Sequence, residues 1–211
     1  MSKIGPKVAQ GSSFTARVVA CSLLYLAVYA VVSWADLFTT KLALQQPNTV
    51  EGNVYAVGDD GYSASKAWTI TAFGALFILP FLVFGLAAAR RVSERWLQHP
   101  IRSFGKFYIN PFSRKVIDRS PLHMLSFVLA FPLLRLLAAG NNWMISETGT
   151  GPLGWLVGQL SNATNPTLGF WLVLGPLFYL LAFACSPLAV FMLRKFGAGT
   201  SEVQLTPELG Q

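Results

Sequence analysis

The sequence predicts an all-α integral membrane protein, a bundle of four spanning helices with both chain ends in the cytoplasm. Three observations predict it: four long apolar segments, little charge inside them, and Lys and Arg gathered on one side of their alternation. The chain has 211 residues, 53% hydrophobic and 12% charged. Soluble domains carry about 25% charged residues, so this composition suits lipid. A helix crosses the hydrocarbon with roughly 20 apolar residues, and open sheet edges do not survive there. Four spans leave loops too short for a separate soluble core, so residues 1–196 read as one membrane domain and 197–211 as a flexible cytoplasmic tail.

The first span is expected over about 18–39, with a continuation to Leu44. Lys3, Lys7 and Arg17 precede it, and Ser33-Trp34-Ala35 has the small-residue spacing of a signal-peptidase site. It is read here as a retained span. The second span is expected over 67–89, the third over 121–140 and the fourth over 168–193, each long enough to cross. Pro80, Pro132, Pro176 and Pro187 fall within them and each removes a backbone donor. Orientation follows from Lys and Arg alone. Lys3, Lys7 and Arg17 lie before span one, Arg194 and Lys195 after span four. Eight more, from Arg90 to Arg119, lie between spans two and three, while the other two loops hold only Lys41 and Lys66. The loops 40–66 and 140–167 therefore face outward. Trp34, Trp68, Trp143 and Trp155 fall near that outer boundary, where indole rings settle.

Arg135 stands alone in Phe131-Pro132-Leu133-Leu134-Arg135-Leu136-Leu137. It lies about 21 Å above the inner end of its helix. A charge at depth costs on the order of 2.5–3.5 kcal/mol or more unless it is paired or reaches water. Asp36, roughly 28 Å up span one, is the expected partner. Snorkelling to the outer headgroups, or holding an anion, a lipid phosphate or a quinone carbonyl, are the alternatives. Thr40 shares a helix face with Asp36. Glu51 and Asn53 follow in the outer loop, and these five residues define an expected ion pair or ligand pocket. Asp36 and Glu51 could also act as acid and base, or simply cap helix ends.

The run Asp36, Thr40, Glu51, Asn53 resembles a family of small uncharacterised prokaryotic multi-pass membrane proteins. Those carry Asp and Thr at a helix end, a short loop, and Glu-x-Asn usually followed by Pro. Val54 stands at the proline position here. The resemblance covers about residues 30–90 and implies no activity.

The amphipathic loop 90–120 interleaves Arg90, Arg91, Arg95 and Lys106 with Trp96, Phe104, Phe107 and Tyr108. Ile101, Phe104 and Tyr108 share one helix face, with Arg102 and Lys106 off it. Such a segment can lie on anionic headgroups or dock a partner subunit. Positive-inside placement alone also explains its charge. Nucleic acid is excluded as a partner, because the loop is tethered at both ends near the bilayer and no nucleic-acid motif accompanies the chain's +7 net charge. Cys21 and Cys185 sit in apolar segments, and His99 precedes Pro100 in the loop. No disulfide, metal, cofactor or catalytic group is expected. Gly151–Leu160 is too short to span and reads as an outer interfacial helix or re-entrant lid. Asn162-Ala163-Thr164 is a glycosylation sequon that matters only in a eukaryotic secretory pathway.

The expected function is that of a non-enzymatic accessory or assembly subunit of a larger complex in a bacterial inner membrane. It would contact anionic lipids and partner subunits or further copies of itself. A small-ligand or lipid carrier with an outer polar pocket is the alternative. An intramembrane enzyme using Asp36 or Glu51 comes third.

Overall fold

The computed structural model describes residues 8–47, 49, 56–58, 61–109 and 119–199, with side chains from Ser13 onward except at 104 and 107–109. The described residues are almost entirely helical. The helices are α1 (Val8–Ala43), α2 (Ala64–Ala87), α3 (Glu94–Leu97), α4 (Pro100–Ile109), α5 (Ser120–Thr148), α6 (Pro152–Ala163) and α7 (Pro166–Lys195). Four of them are long and apolar enough to cross a membrane: Ser13–Ala43, Ala64–Ala87, α5 and α7. The chain is thus an integral membrane protein of the all-α class.

One expected boundary shifts, and one loop holds more structure than expected. The third apolar segment does not end near residue 140, because α5 continues to Thr148. Asn141 and Asn142 look like helix-ending residues in sequence, but both spend their side chains on neighbouring segments. The loop after α1 also holds a hairpin, β1 (Val57–Gly58) and β2 (Gly61–Tyr62), in which Val57 pairs with Tyr62 and Gly58 with Gly61. Gly61 has φ +103°, which a glycine adopts without strain. Ser63 then caps α2, its hydroxyl accepting the Lys66 amide at 3.4 Å.

The residues group into two compact units. Unit 1 takes the chain up to Ala27, Leu79–Leu125 and everything from Ser186. Its core is Leu82, Leu86, Ala89, Val92, Leu122, Leu125, Ala189 and Leu193, all fully buried. A methyl group at Gly85 would press on the Leu125 side chain, so the missing Cβ lets α2 and α5 approach closely. α7 ends in a Schellman motif: Gly197 (φ +91°) donates to the Arg194 carbonyl, and Ala198 to the Leu193 carbonyl at 3.0 Å. The chain then turns onto α3, where the Gly199 amide donates to the Val92 carbonyl and Arg194 pairs with Glu94 at 2.6 Å.

Unit 2 is Val28–Ile78 and Ser126–Cys185. Along α1 its buried positions are Tyr29, Ser33, Asp36, Thr39 and Ala43, a stripe at three- and four-residue spacing. Phe127 of α5 stacks on Phe178 of α7 at 5.6 Å between ring centroids, and Phe131 packs against the same ring at a tilt at 4.6 Å. α6 is held by an outside cap. The Asn141 side-chain oxygen accepts the Leu153 and Gly154 amides at 2.9 and 3.4 Å, satisfying first-turn donors that Gly151 and Pro152 cannot. Asn165 caps α7 through the Leu168 amide, with Pro166 in the first helical position.

Candidate functional site

In unit 2, α1, α2 and α5 bring one charged pair and four polar side chains together. Arg135 donates from Nη1 to Asp36 Oδ2 at 2.6 Å and from Nη2 to the Thr71 hydroxyl at 3.3 Å. The second Asp36 oxygen accepts from Asn142 Nδ2 at 3.3 Å. Asn142 Nδ2 also donates to the Thr40 hydroxyl at 2.8 Å. The Tyr29 hydroxyl interacts with the same guanidinium and lies against Gly74, where a Cβ would come within 3.0 Å of it.

The hydroxyl protons settle how the network closes. Thr71 donates to the Ala67 carbonyl at 2.9 Å, so its oxygen is left to accept from Arg135. Thr40 donates to the Asp36 carbonyl at 2.8 Å and so accepts from Asn142. Both carboxylate oxygens are occupied by donors. The Asp36 side chain is 8% exposed and that of Arg135 23%. The pair is therefore shielded from bulk solvent, and each charge is compensated where it stands. Nothing in this arrangement leaves a carboxylate turned toward an open cleft.

Of the expected site residues, the structure brings Asp36, Thr40 and Arg135 together. Glu51 and Asn53 lie outside the described residues. Thr71, Asn142 and Tyr29 escaped the sequence reading. Asn142 lies seven residues, two helical turns, beyond Arg135 and so on the same face of α5, which was the available signal.

A shallow cavity of about 360 Å³ lies in unit 2 among Leu136, Leu137, Met144, Pro152, Leu153 and Leu177. Its one polar side chain is Asn141, already bonded to the start of α6. It offers apolar contact and no group for proton transfer. Among the described residues no three His, Cys, Asp or Glu side chains gather into a metal site. Five tryptophans of this unit, Trp34, Trp68, Trp143, Trp155 and Trp171, are exposed.

Unit 1 holds the basic residues of the 90–120 segment. Trp96 is half-buried, with the Arg119 guanidinium over its ring at 4.3 Å and Arg95 at 5.7 Å. Arg119 is itself buried, and burial pushes it down from the ordinary guanidinium range. The Trp96 carbonyl accepts the Ser103 hydroxyl at 3.1 Å, joining α3 to α4. Trp96 is thus used in holding this segment together. Arg90 lies over the Phe14 ring at 5.5 Å, while Arg91 and Lys106 are exposed. Among the described side chains of α4, Ser103 is buried and Ile101 is exposed. The side chains of Phe104, Phe107 and Tyr108 lie outside the described residues. His99 is exposed, and His123 is buried in the first turn of α5.

No family model, curated protein or solved structure matches this chain.

Proposed function

We propose that the protein is a non-enzymatic accessory subunit of a larger membrane complex. Its four long helices form a bundle whose ends and 90–120 segment lie in the cytoplasm. One observation carries the reading: the charged pair of unit 2 is saturated by its own neighbours. Asp36 accepts from Arg135 and Asn142, and Thr71 and Thr40 complete the set. A carboxylate so engaged is a poor acid or base, since a catalytic group must reach the atom whose proton it moves. A guanidinium so engaged has its best acceptor already in place. The cavity beside Leu136 and Leu153 is lined by apolar side chains except Asn141, whose oxygen already holds the start of α6. With this charged pair closed on its own neighbours, the protein acts through its surface. α2 exposes Phe73, Leu76 and Phe77 there, an apolar face suited to a partner helix. The cytoplasmic placement rests on the distribution of Lys and Arg.

Extraction from the native membrane into nanodiscs, followed by mass spectrometry of everything retained, tests this reading. Protein partners in fixed ratio support it. A lone chain carrying a polar small molecule would overturn it in favour of a ligand carrier.

A further inference from the structure

Unit 1 carries a charged segment that the subunit reading does not use. Between residues 91 and 106 four cations, Arg91, Arg95, Arg102 and Lys106, are exposed. None of the four has an ion pair among the described residues. Glu94 is the one acid of unit 1 among those residues, and it is paired with Arg194. The positive charge of the segment is therefore left to an outside partner.

The segment is fastened beside the ends of two spans. The α2 span ends at Ala87, and Val92 and Leu97 are buried in unit 1 shortly after it. The Arg119 guanidinium lies on the Trp96 ring at 4.3 Å, one residue before α5 begins. The Ser103 hydroxyl donates to the Trp96 carbonyl at 3.1 Å and holds α4 to α3.

The residues of α4 select the partner. The spans are apolar all round, whereas α4 is strongly amphipathic. Ile101 is exposed, and positions 104 and 108, three and seven residues on, share its side of the helix. Arg102 and Lys106, four residues apart, share another side, where like charges repel. The core of a protein interface is depleted of Lys. An apolar side beside a basic one, next to the end of a span, matches the headgroup layer of a bilayer. A soluble phosphate would meet the cations and leave Ile101 in water.

We infer that α4 lies on an anionic lipid surface, with Ile101 entering the acyl region and Arg102 and Lys106 against the lipid phosphates. Arg91 and Arg95 add to the attraction from outside α4. The connection between α2 and α5 then responds to lipid composition: α4 is seated on an anionic bilayer and released from a zwitterionic one.

The test is a nitroxide label at Ile101→Cys in the full-length chain, with Cys21 and Cys185 replaced, in nanodiscs of phosphatidylglycerol or of phosphatidylcholine. In phosphatidylglycerol the label should be relaxed by oxygen and shielded from a water-soluble nickel chelate. In phosphatidylcholine it should face water. Adding R102Q/K106Q should lower the ratio of immersed to water-facing label in phosphatidylglycerol about thirtyfold, since each Lys or Arg near an anionic surface contributes roughly fivefold. Its unfolding midpoint should stay near that of the parent. A label facing water in both lipids would overturn the proposal, and shielding found only in extracts of the native membrane would make a protein the occupant. Equal immersion in the two lipids would overturn it too, as would immersion unmoved by a folded R102Q/K106Q variant. If the labelled chain does not fold, hydrogen exchange of the wild type decides. Amides over 101–106 should exchange more slowly in phosphatidylglycerol than in phosphatidylcholine, and the difference should fade as salt screens exposed charges. Equal exchange in the two lipids contradicts the contact.

Discussion

Asp36 and Arg135 show how a charge is kept inside an apolar segment. Each alone would leave an uncompensated ion, and breaking a buried pair from one side costs about 3–5 kcal/mol. Together with Asn142, Thr71 and Thr40 they leave no carboxylate oxygen without a donor. Thermal unfolding in detergent of D36N, R135Q and the double variant should therefore be non-additive. Each single change should destabilise strongly. The double change should cost less than their sum, by on the order of 1–3 kcal/mol. Additive losses would mean that the two side chains do not depend on each other. The pairing was legible in the sequence because an isolated Arg among leucines needs a compensating charge, and Asp36 is the acid at a matching depth. Asn142 and Thr71 were not legible. Asn142 follows Gly140-Asn141 and reads as the start of a loop, and a Thr in a span often bonds only its own helix. Thr71 does that too, through Ala67, before it accepts from Arg135.

At the scale of elements, α6 depends on a residue outside itself. Asn141 supplies the cap that Gly151 and Pro152 lack. Asn141→Ala should cost about 1 kcal/mol and speed hydrogen exchange at the Leu153 and Gly154 amides. Protection at those amides unchanged from wild type would contradict this cap. Gly169 makes a second junction, because a Cβ there would collide with the Ser161 backbone. Gly169→Leu should force α6 and α7 apart at their turn and lower the unfolding midpoint, whereas an unchanged midpoint would mean the turn is loose. Apolar length alone marked the four long helices. Their packing faces could not be read in the same way, because a helix in lipid is apolar all round and the usual polar-outward pattern is missing. Only small and polar residues such as Ser33, Asp36 and Thr39 mark the inner side of α1, and they are legible once the lipid-facing residues are known. The hairpin was legible after all: Gly58-Asp59-Asp60-Gly61 carries the glycine and aspartate signal of a tight turn.

At the scale of the whole molecule, the asymmetry of Lys and Arg makes a topological prediction. With Cys21 and Cys185 replaced, a cysteine at Thr150 should react with a membrane-impermeant maleimide on intact cells. One at Gln98 should react only after the membrane is opened. The opposite pattern would invert the orientation. The exposed phenylalanines of α2 make a functional prediction. F73L/F77L should keep the unfolding midpoint but retain less of any partner, because the face stays apolar while its ring shape is lost. Retention equal to the wild type would move the docking surface elsewhere. The most direct measurement compares wild type and the D36N/R135Q variant, each extracted from the native membrane into nanodiscs, with mass spectrometry of all retained molecules. The account predicts the same protein partners in the same ratio for both, and no small molecule whose retention follows the charged pair. A small molecule bound by the wild type and lost from a folded D36N/R135Q variant would contradict it and make the pair a ligand site.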